Sequence, residues 1–266
     1  MTGHPVRSDE PGFGERILGS SAVHSGYRVR LAGDRAAVRQ AQRLRFEVFN
    51  LELGAGLASA YRAGVDEDEF DPRCDHLLLE HCDSGAVVGT YRLLPGPGVA
   101  SVASLYSAVE FELAAFEPLL RELLELGRAC VQRRHRNPAA LGLLWRGIAR
   151  YAATHRIRYL LGCSSAHTTD PAVGAALYRE LAWRHLAPER LRAWPRREYA
   201  CPLETLPDGA VEVPRLLSAY LSLGARICGA PAIDSAFGTI DFLTVLDLES
   251  LAPRLRRLVG QPEAGE

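Results

Sequence analysis

The chain of 266 residues carries 31 basic and 32 acidic side chains, for a formal charge of −1, and 47 % of it is hydrophobic. That balance gives no ground for a nucleic-acid partner, and no run of about 18 uncharged apolar residues is present to span a bilayer as a helix. Every basic residue is arginine, so a lysine Schiff base or lysine nucleophile is excluded.

A chain of this length buries one sizeable core. We divide it into a disordered tail at 1–25, a core at 26–200, and an extension at 201–260 that completes the same domain. The tail is rich in Gly, Ser and charge without an apolar centre, unlike a signal peptide, and residues 261–266 read the same way. Residues 27–31 alternate as a first strand. Helical spacing follows over 34–53 through Val38, Ala41, Leu44, Phe46, Val48 and Phe49, with Asp34 placed as N-cap. Residues 54–75 form a long acidic loop, of a kind that is usually functional or disordered. Strands over 76–81 and 86–94 are joined by the hairpin signal Cys82-Asp83-Ser84-Gly85. Residues 106–120 read as mostly helical. The run Glu125-Leu126-Gly127-Arg128-Ala129-Cys130-Val131 reads as a buried strand.

Further along, a helix over 138–154 has Pro138 in its first turn. A strand over 158–164 precedes a second long helix over 171–185, capped by His167-Thr168-Thr169-Asp170. A short helix over 213–223 and a strand over 239–246 end the pattern. Strands alternating with helices after an opening hairpin fit a mixed α/β sheet with helices on both faces.

The pair Glu125 and Arg128 stands out. A strand buried on both faces seldom carries opposite charges unless they pair or perform chemistry. Residues i and i+3 of a regular strand point to opposite faces, so a bulge is required to bring both into one cleft, and Gly127 is the expected place for it. Other constellations are weaker. The six cysteines form no CxxC pair and are read as reduced cytosolic thiols. Ser164, Ser165, His167 and Asp170 lack a G-x-S-x-G elbow, and neither Cys130 nor Cys163 has a thiolate stabiliser. The acidic run 66–71 lacks the glycine and final glutamate of a calcium loop, so no metal is expected.

Several segments occur in a telling order: Leu44-Arg45-Phe46-Glu47-Val48-Phe49, Asp68-Glu69-Phe70-Asp71, Cys74-Asp75-His76-Leu77-Leu78-Leu79, Gly89-Thr90-Tyr91-Arg92-Leu93-Leu94-Pro95, the Glu125 strand, Leu160-Leu161-Gly162-Cys163-Ser164-Ser165, residues 224–234 and Thr239-Ile240-Asp241-Phe242-Leu243. This set resembles the acyl-homoserine-lactone synthases and, more closely, the ornithine and hemolysin-like N-acyltransferases of the GNAT superfamily, over residues 27–251. The resemblance implies a mostly antiparallel, twisted sheet with a splayed or bulged central strand. It also implies that Arg45, Asp68, Asp71, Arg92, Glu125 and Arg128 form one charged network.

Acyl transfer from a thioester to an amine needs a base for the ammonium, donors for the developing oxyanion, and an apolar slot for the chain. Glu125 is the candidate base, and backbone N–H groups freed by the bulge are the candidate donors. Arg92 and Arg128 would orient an acceptor carboxylate, and Asp68 or Asp71 would hold a second ammonium if the acceptor is ornithine. The pyrophosphate loop Q/R-x-x-G-x-G/A of acetyl-CoA enzymes has no clean match. Instead Arg133, Arg134, His135, Arg136 and Asn137 stand at a helix start, a phosphate-binding position, and Arg146, Arg150, Arg156 and Arg158 extend the positive character. We therefore expect acyl carrier protein, with its phosphopantetheine arm, to be the donor ahead of coenzyme A, and no permanently bound cofactor. The expected product is a lyso-ornithine lipid, made in the cytoplasm with peripheral contact at the inner membrane face. A coenzyme-A-dependent small-molecule acetyltransferase and a non-catalytic hemolysin-like lipid-binding protein are the alternatives.

Overall fold

The computed structural model describes residues 24–251, apart from 206, 208 and 210. Of the tails expected at 1–25 and 261–266, residues 1–23 and 261–266 lie outside the described residues, while His24 and Ser25 are not disordered but enter a turn in which His24 bridges to Tyr27. Among the described residues the main sheet has eight strands. Seven run in the order β1 (Tyr27–Leu31), β2 (Asp75–His81), β3 (Val87–Pro95), β5 (Leu123–Val131), β6 (Tyr159–Ala166), β10 (Thr239–Asp247) and β8 (Arg226–Ile227), and β9 (Ala232–Asp234) also pairs with β10. Among the described strands only β5 and β6 are parallel neighbours. Two short strands, β4 (Phe111–Glu112) and β7 (Trp194–Pro195), pair separately. The strands from the expected C-terminal extension thus hydrogen-bond into the main sheet.

Local signals place the helices. Asp34 accepts from the Ala37 N–H at 2.8 Å and starts α1 (Arg35–Arg45). The expected helix continues to Glu52, but as a wider π-helical segment, Phe46–Glu52. A single turn, α2 (Ala60–Ala63), interrupts the acidic loop. Asn137 caps α3 (Pro138–Thr154) through Ala140 N–H, and Asp170 caps α4 (Pro171–His185) through Ala172 N–H. Among the described residues the last α-helix is α5 (Arg215–Ser222).

The two faces of the sheet are covered differently. Helix α3 lays Leu143, Leu144, Ile148 and Ala152 against Tyr91, Leu93, Leu124 and Leu160. Each such aliphatic side chain stabilises the fold by about 1.5–3 kcal/mol when fully buried. The opposite face packs against α1 and a set of 3₁₀ turns through Leu94, Phe116, Leu123 and Leu161. Those turns are a correction. Residues 106–120 are 3₁₀ at Tyr106–Val109, then β4, then 3₁₀ again at Ala114–Glu122, with Pro118 inside. A proline and competing tertiary hydrogen bonds prevent a regular helix there.

Candidate active site

The centre of the sheet is built around one extra residue. Across β3 and β5, Leu94 opposes Glu125, Arg92 opposes Gly127, and Thr90 opposes Cys130. Tyr91 alone therefore faces both Arg128 and Ala129, which is a bulge. The residue that absorbs it is Arg128, at φ +50°, in the left-handed region that costs a non-glycine side chain energy. Gly127, the expected pivot, keeps an ordinary conformation. The bulge turns Arg128 to the face of Glu125 and Arg92, and Tyr106 is their common neighbour. Its N–H bonds Glu125 Oε2 at 2.8 Å, while the Arg92 and Arg128 guanidinium carbons lie 5.4 and 5.0 Å from its ring centroid.

Three arginines and three aspartates interlock beside this point. Arg45, fully buried at the end of α1, reaches Asp66 at 2.6 Å and both oxygens of Asp71 at 2.9 and 2.8 Å. Arg92 gives Nη1 to Asp68 at 2.6 and 2.7 Å and to Asp71 at 3.1 Å. Arg128 closes the lattice on Asp68 at 2.9 Å and on Asp66 at 3.3 Å. Gln42 adds a bond to Asp71 at 2.9 Å. Burial pushes the Asp71 carboxyl up, yet the Arg45 and Arg92 guanidiniums hold it well below the usual carboxylate range. Asp68 is lowered in the same way, by Arg92 and Arg128 against burial. The lattice anchors the acidic loop to the sheet and fixes the planes of both site arginines.

Two expectations need correcting here. Glu125 is not part of the ion lattice. It is 4 % exposed, and its two oxygens accept from the backbone N–H groups of Tyr106 and Ser107, each at 2.8 Å. It pins the start of the first 3₁₀ turn to the central strand. Asp68 and Asp71 are saturated by arginine, so neither is open to a second ammonium. The residue missed was Asp66, fully buried between Arg45 and Arg128. Its signal was only its place in the run Asp66-Glu67-Asp68-Glu69, where alternate residues face the protein while Glu67 pairs with exposed Arg39.

Beyond the lattice the sheet opens. Strands β5 and β6 pair only from Leu123–Tyr159 to Glu125–Leu161. At Gly162 a Cβ would sit 2.2 Å from Leu126 O, so this close approach requires glycine. Past it, a cleft lined by Arg128, Ala129, Cys163 and Ser164 leads to Leu126, Trp145, Leu160, Tyr220 and Leu246 on the α3 side. One end of the cleft is cationic and the rest is apolar. Cys163 and Cys130 are not nucleophiles in waiting. Burial pushes the Cys130 thiol up to about 12, and Cys163 well above its ordinary value. Ser164 is bonded to Thr244 at 3.0 Å rather than to any histidine.

The candidate phosphate surface holds up less well. Asn137 Oδ1 takes the Ala140 N–H at 2.9 Å and Pro138 has none to give, so the first turn of α3 is largely satisfied. Arg136 is clamped to Glu52 at 2.6 and 3.0 Å. Arg133 and Arg134 are exposed, and Arg146 is half-buried one helical turn beyond Gly142. Arg158 lies past the far end of α3, paired with Asp247 and Glu249, and does not extend this surface.

Residues 44–146 match the family model described as an acetyltransferase (GNAT) domain. The chain is 36 % identical over 252 residues to the L-ornithine N(alpha)-acyltransferase of Rhodobacter capsulatus, covering 89 % of this chain and 95 % of that protein. It is 36 % identical over 244 residues to the protein of the same name from Brucella abortus, covering 85 % and 86 %. Among solved structures it is similar to the AHL synthase LasI (TM-score 0.53, 14 % identity, 92 % of this chain and 100 % of that one). It is also similar to FeeM, an N-acyl amino acid synthase from uncultured soil microbes (TM-score 0.53, 13 % identity, 85 % and 93 %). At these identities the two structures speak for the fold alone.

Proposed function

The chain belongs to the L-ornithine N(alpha)-acyltransferase family, and from that premise we propose that it moves a long-chain fatty acyl group, 3-hydroxylated chains included, from acyl carrier protein to the α-amino group of L-ornithine. The product is a lyso-ornithine lipid. One observation carries the reading: Glu125, Arg92 and Arg128 share one face around Tyr106, where β5 and β6 part into an apolar cleft.

Each demand of the reaction then has a residue. Arg92 spends Nη1 on Asp68 and Asp71 and turns Nε and Nη2 toward Gly127, where a Cβ would stand 3.7 and 3.8 Å away. That edge is a two-pronged donor suited to a carboxylate, and the missing side chain of Gly127 leaves room beside it. Docked there, the acceptor's α-ammonium lies toward Glu125. The two bonds to backbone N–H groups leave further lone pairs on each Glu125 oxygen to take the proton, directly or through a water. The bulge takes Arg128 and Ala129 out of register with β3, so their N–H groups are the donors for the thioester oxygen as it turns anionic. The acyl chain follows Leu126, Trp145, Leu160 and Leu246.

Exposed Arg133 and Arg134 favour an acidic carrier protein as donor. Among the described residues no helix is long and apolar enough to cross a membrane, and the amphiphilic product is the reason to place the enzyme in the cytoplasm against the inner membrane face. The test is lipid extraction after heterologous expression, together with assays of the purified chain on long-chain acyl carrier protein and on acetyl-CoA. A new N-acylornithine, made from the carrier protein and about a hundredfold less by Glu125→Gln, is expected. Undiminished turnover in that variant removes Glu125 from the mechanism, and product from acetyl-CoA alone removes the carrier protein.

A further inference from the structure

The first 3₁₀ turn, Tyr106–Val109, begins at Glu125 and ends on a second acid. Glu110 follows the turn, is 1 % exposed, and has no hydrogen-bond donor on either carboxylate oxygen. Asp241, on β10, is also buried, and its Oδ1 has no partner. One ligand atom each from Glu110, Asp241 and Cys163 lie within 4.8 Å of one another. Asp234 stands near both acids and is itself committed, accepting from the Ala236 and Phe237 N–H groups at 2.9 Å. Asp241 takes the Thr239 hydroxyl at 3.3 Å, and the two acids stand close enough to share one proton, yet no N–H or cationic donor reaches Glu110 or Asp241 Oδ1, which is costly for buried carboxyls.

The pair connects to the reaction face through one residue. Ser107 gives its N–H to Glu125, and its Oγ lies 3.7 Å from Cys163 Sγ, whose thiol forms the third corner of the orphaned site. Cys163 also lines the cleft. Glu125 and the two orphaned acids thus lie on either side of Ser107.

Resting on the reading of the site above, we propose that Glu110 and Asp241 form the pocket for the side-chain ammonium of the acceptor and so select a dibasic amino acid. Two acceptors sharing one ammonium nitrogen at about 2.8 Å stand roughly 4.6 Å apart at the tetrahedral angle, so an ammonium entering here displaces the proton the acids share and parts their carboxyls to that spacing. A primary ammonium offers three donors, and the orphaned oxygens of the two acids are the acceptors for them. The charge of Arg128 lies close enough to act on Glu110, so a bound cation is held by the acids and kept from sliding toward the guanidinium side. A divalent metal is the poorer occupant, because a buried protonated thiol and two carboxylates mix soft and hard donors without enough oxygens for a hard ion. In this arrangement Arg92 reads the carboxylate, Glu125 the α-amine, and Glu110 with Asp241 the far end.

The test compares acceptors that differ only at that far end. The full chain, with long-chain acyl carrier protein as donor, is assayed on L-ornithine and on L-norvaline, which lacks the terminal amine. Wild type should prefer ornithine, and Glu110→Gln or Asp241→Asn should raise the KM for ornithine by at least about thirtyfold with little change for norvaline. An unchanged ornithine-to-norvaline ratio in both variants overturns the proposal. A second measurement needs no variant: 5-aminovalerate, which keeps the carboxylate and the terminal ammonium, should compete with ornithine at least about tenfold better than valerate. Equal inhibition by the two acids overturns it as well. Loss of wild-type activity to a chelator, restored by zinc, overturns it in favour of a metal centre. If wild type acylates neither amino acid, the acyltransferase reading itself fails and this assignment falls with it, a result distinct from intact ornithine turnover without discrimination.

Discussion

Replacing Arg45 by methionine is the sharpest test of the buried lattice. Methionine keeps the bulk of the stem, so the change removes the guanidinium while leaving little cavity. Arg45 supplies two bonds to Asp66, one to its carboxylate and one to its backbone carbonyl, and two to the Asp71 carboxylate, all of 2.9 Å or less and all inaccessible to water. Afterwards Asp66 retains only the 3.3 Å contact with Arg128, while Asp71 keeps Gln42 and Arg92. Breaking a buried pair from one side costs about 3–5 kcal/mol, since the remaining charge is left without compensation. With a slope of roughly 2 kcal/mol per molar urea, the midpoint should fall by about 1.5–2.5 M.

The pH dependence fixes the sign. Asp71 is held below its ordinary value in the fold, so its contribution is present above pH 3.8 and fades as pH falls toward the folded value. The deficit of Arg45→Met should therefore be largest near neutrality and shrink toward pH 4, where the stranded aspartates take up protons. Urea titrations at pH 7.5 and pH 4 read this directly. A loss below about 1 kcal/mol at neutrality, or one that grows on acidification, refutes the reasoning.

Gly162→Ala should prise β5 from β6, because its Cβ meets Leu126 O at 2.2 Å. A variant with unchanged melting temperature and activity contradicts the close approach. Arg92→Lys keeps the charge but loses the fork, so the KM for the amino acid should rise about tenfold or more with kcat less affected, and an unaltered KM would take Arg92 out of carboxylate recognition. Glu110 is raised above its ordinary 4.5 by burial first, then by Asp241 and Asp234, against the pull of Arg128, with Tyr106 and Cys163 close by. Its folded form holds the proton longer than the unfolded chain, so wild-type stability should drain away as pH climbs above 4.5. Glu110→Gln escapes that loss. Its melting temperature should exceed that of wild type by more at pH 8 than at pH 5, and a gap that is flat or reversed counts against an unpaired buried acid.

Features written within a few residues of one another were legible. Asp34, Asn137 and Asp170 each cap the helix that follows, and Cys82–Gly85 turns a hairpin with Gly85 at φ +66°. The acid and guanidinium on one face were legible too, because parity demands a bulge to bring residues 125 and 128 together. The pivot was misplaced at Gly127, since the lattice of Asp66 and Asp68 repays the strain at Arg128 and no neighbour in sequence announces that. The 3₁₀ turns at 106–122 were hidden for a similar reason, as Glu125 captures two N–H groups that a helix would have used. The run Arg133, Arg134, His135 and Arg136 reads as a uniform positive edge because Glu52, which neutralises Arg136, lies 84 residues away. Glu110 gave no signal of a partner, standing between Val109 and Phe111 until β10 delivers Asp241 to it.

The extra residue in β5 has a bearing on how such a chain can change over time. Opposite β3 the strand counts one more residue than its neighbour, and that surplus alone decides which way everything before it points. Point substitutions along β5 can be absorbed one by one. Losing or gaining a single codon there inverts the sidedness of the whole upstream half, sending Glu125 in among the aliphatic contacts of α3 and Leu124 out beside Tyr106.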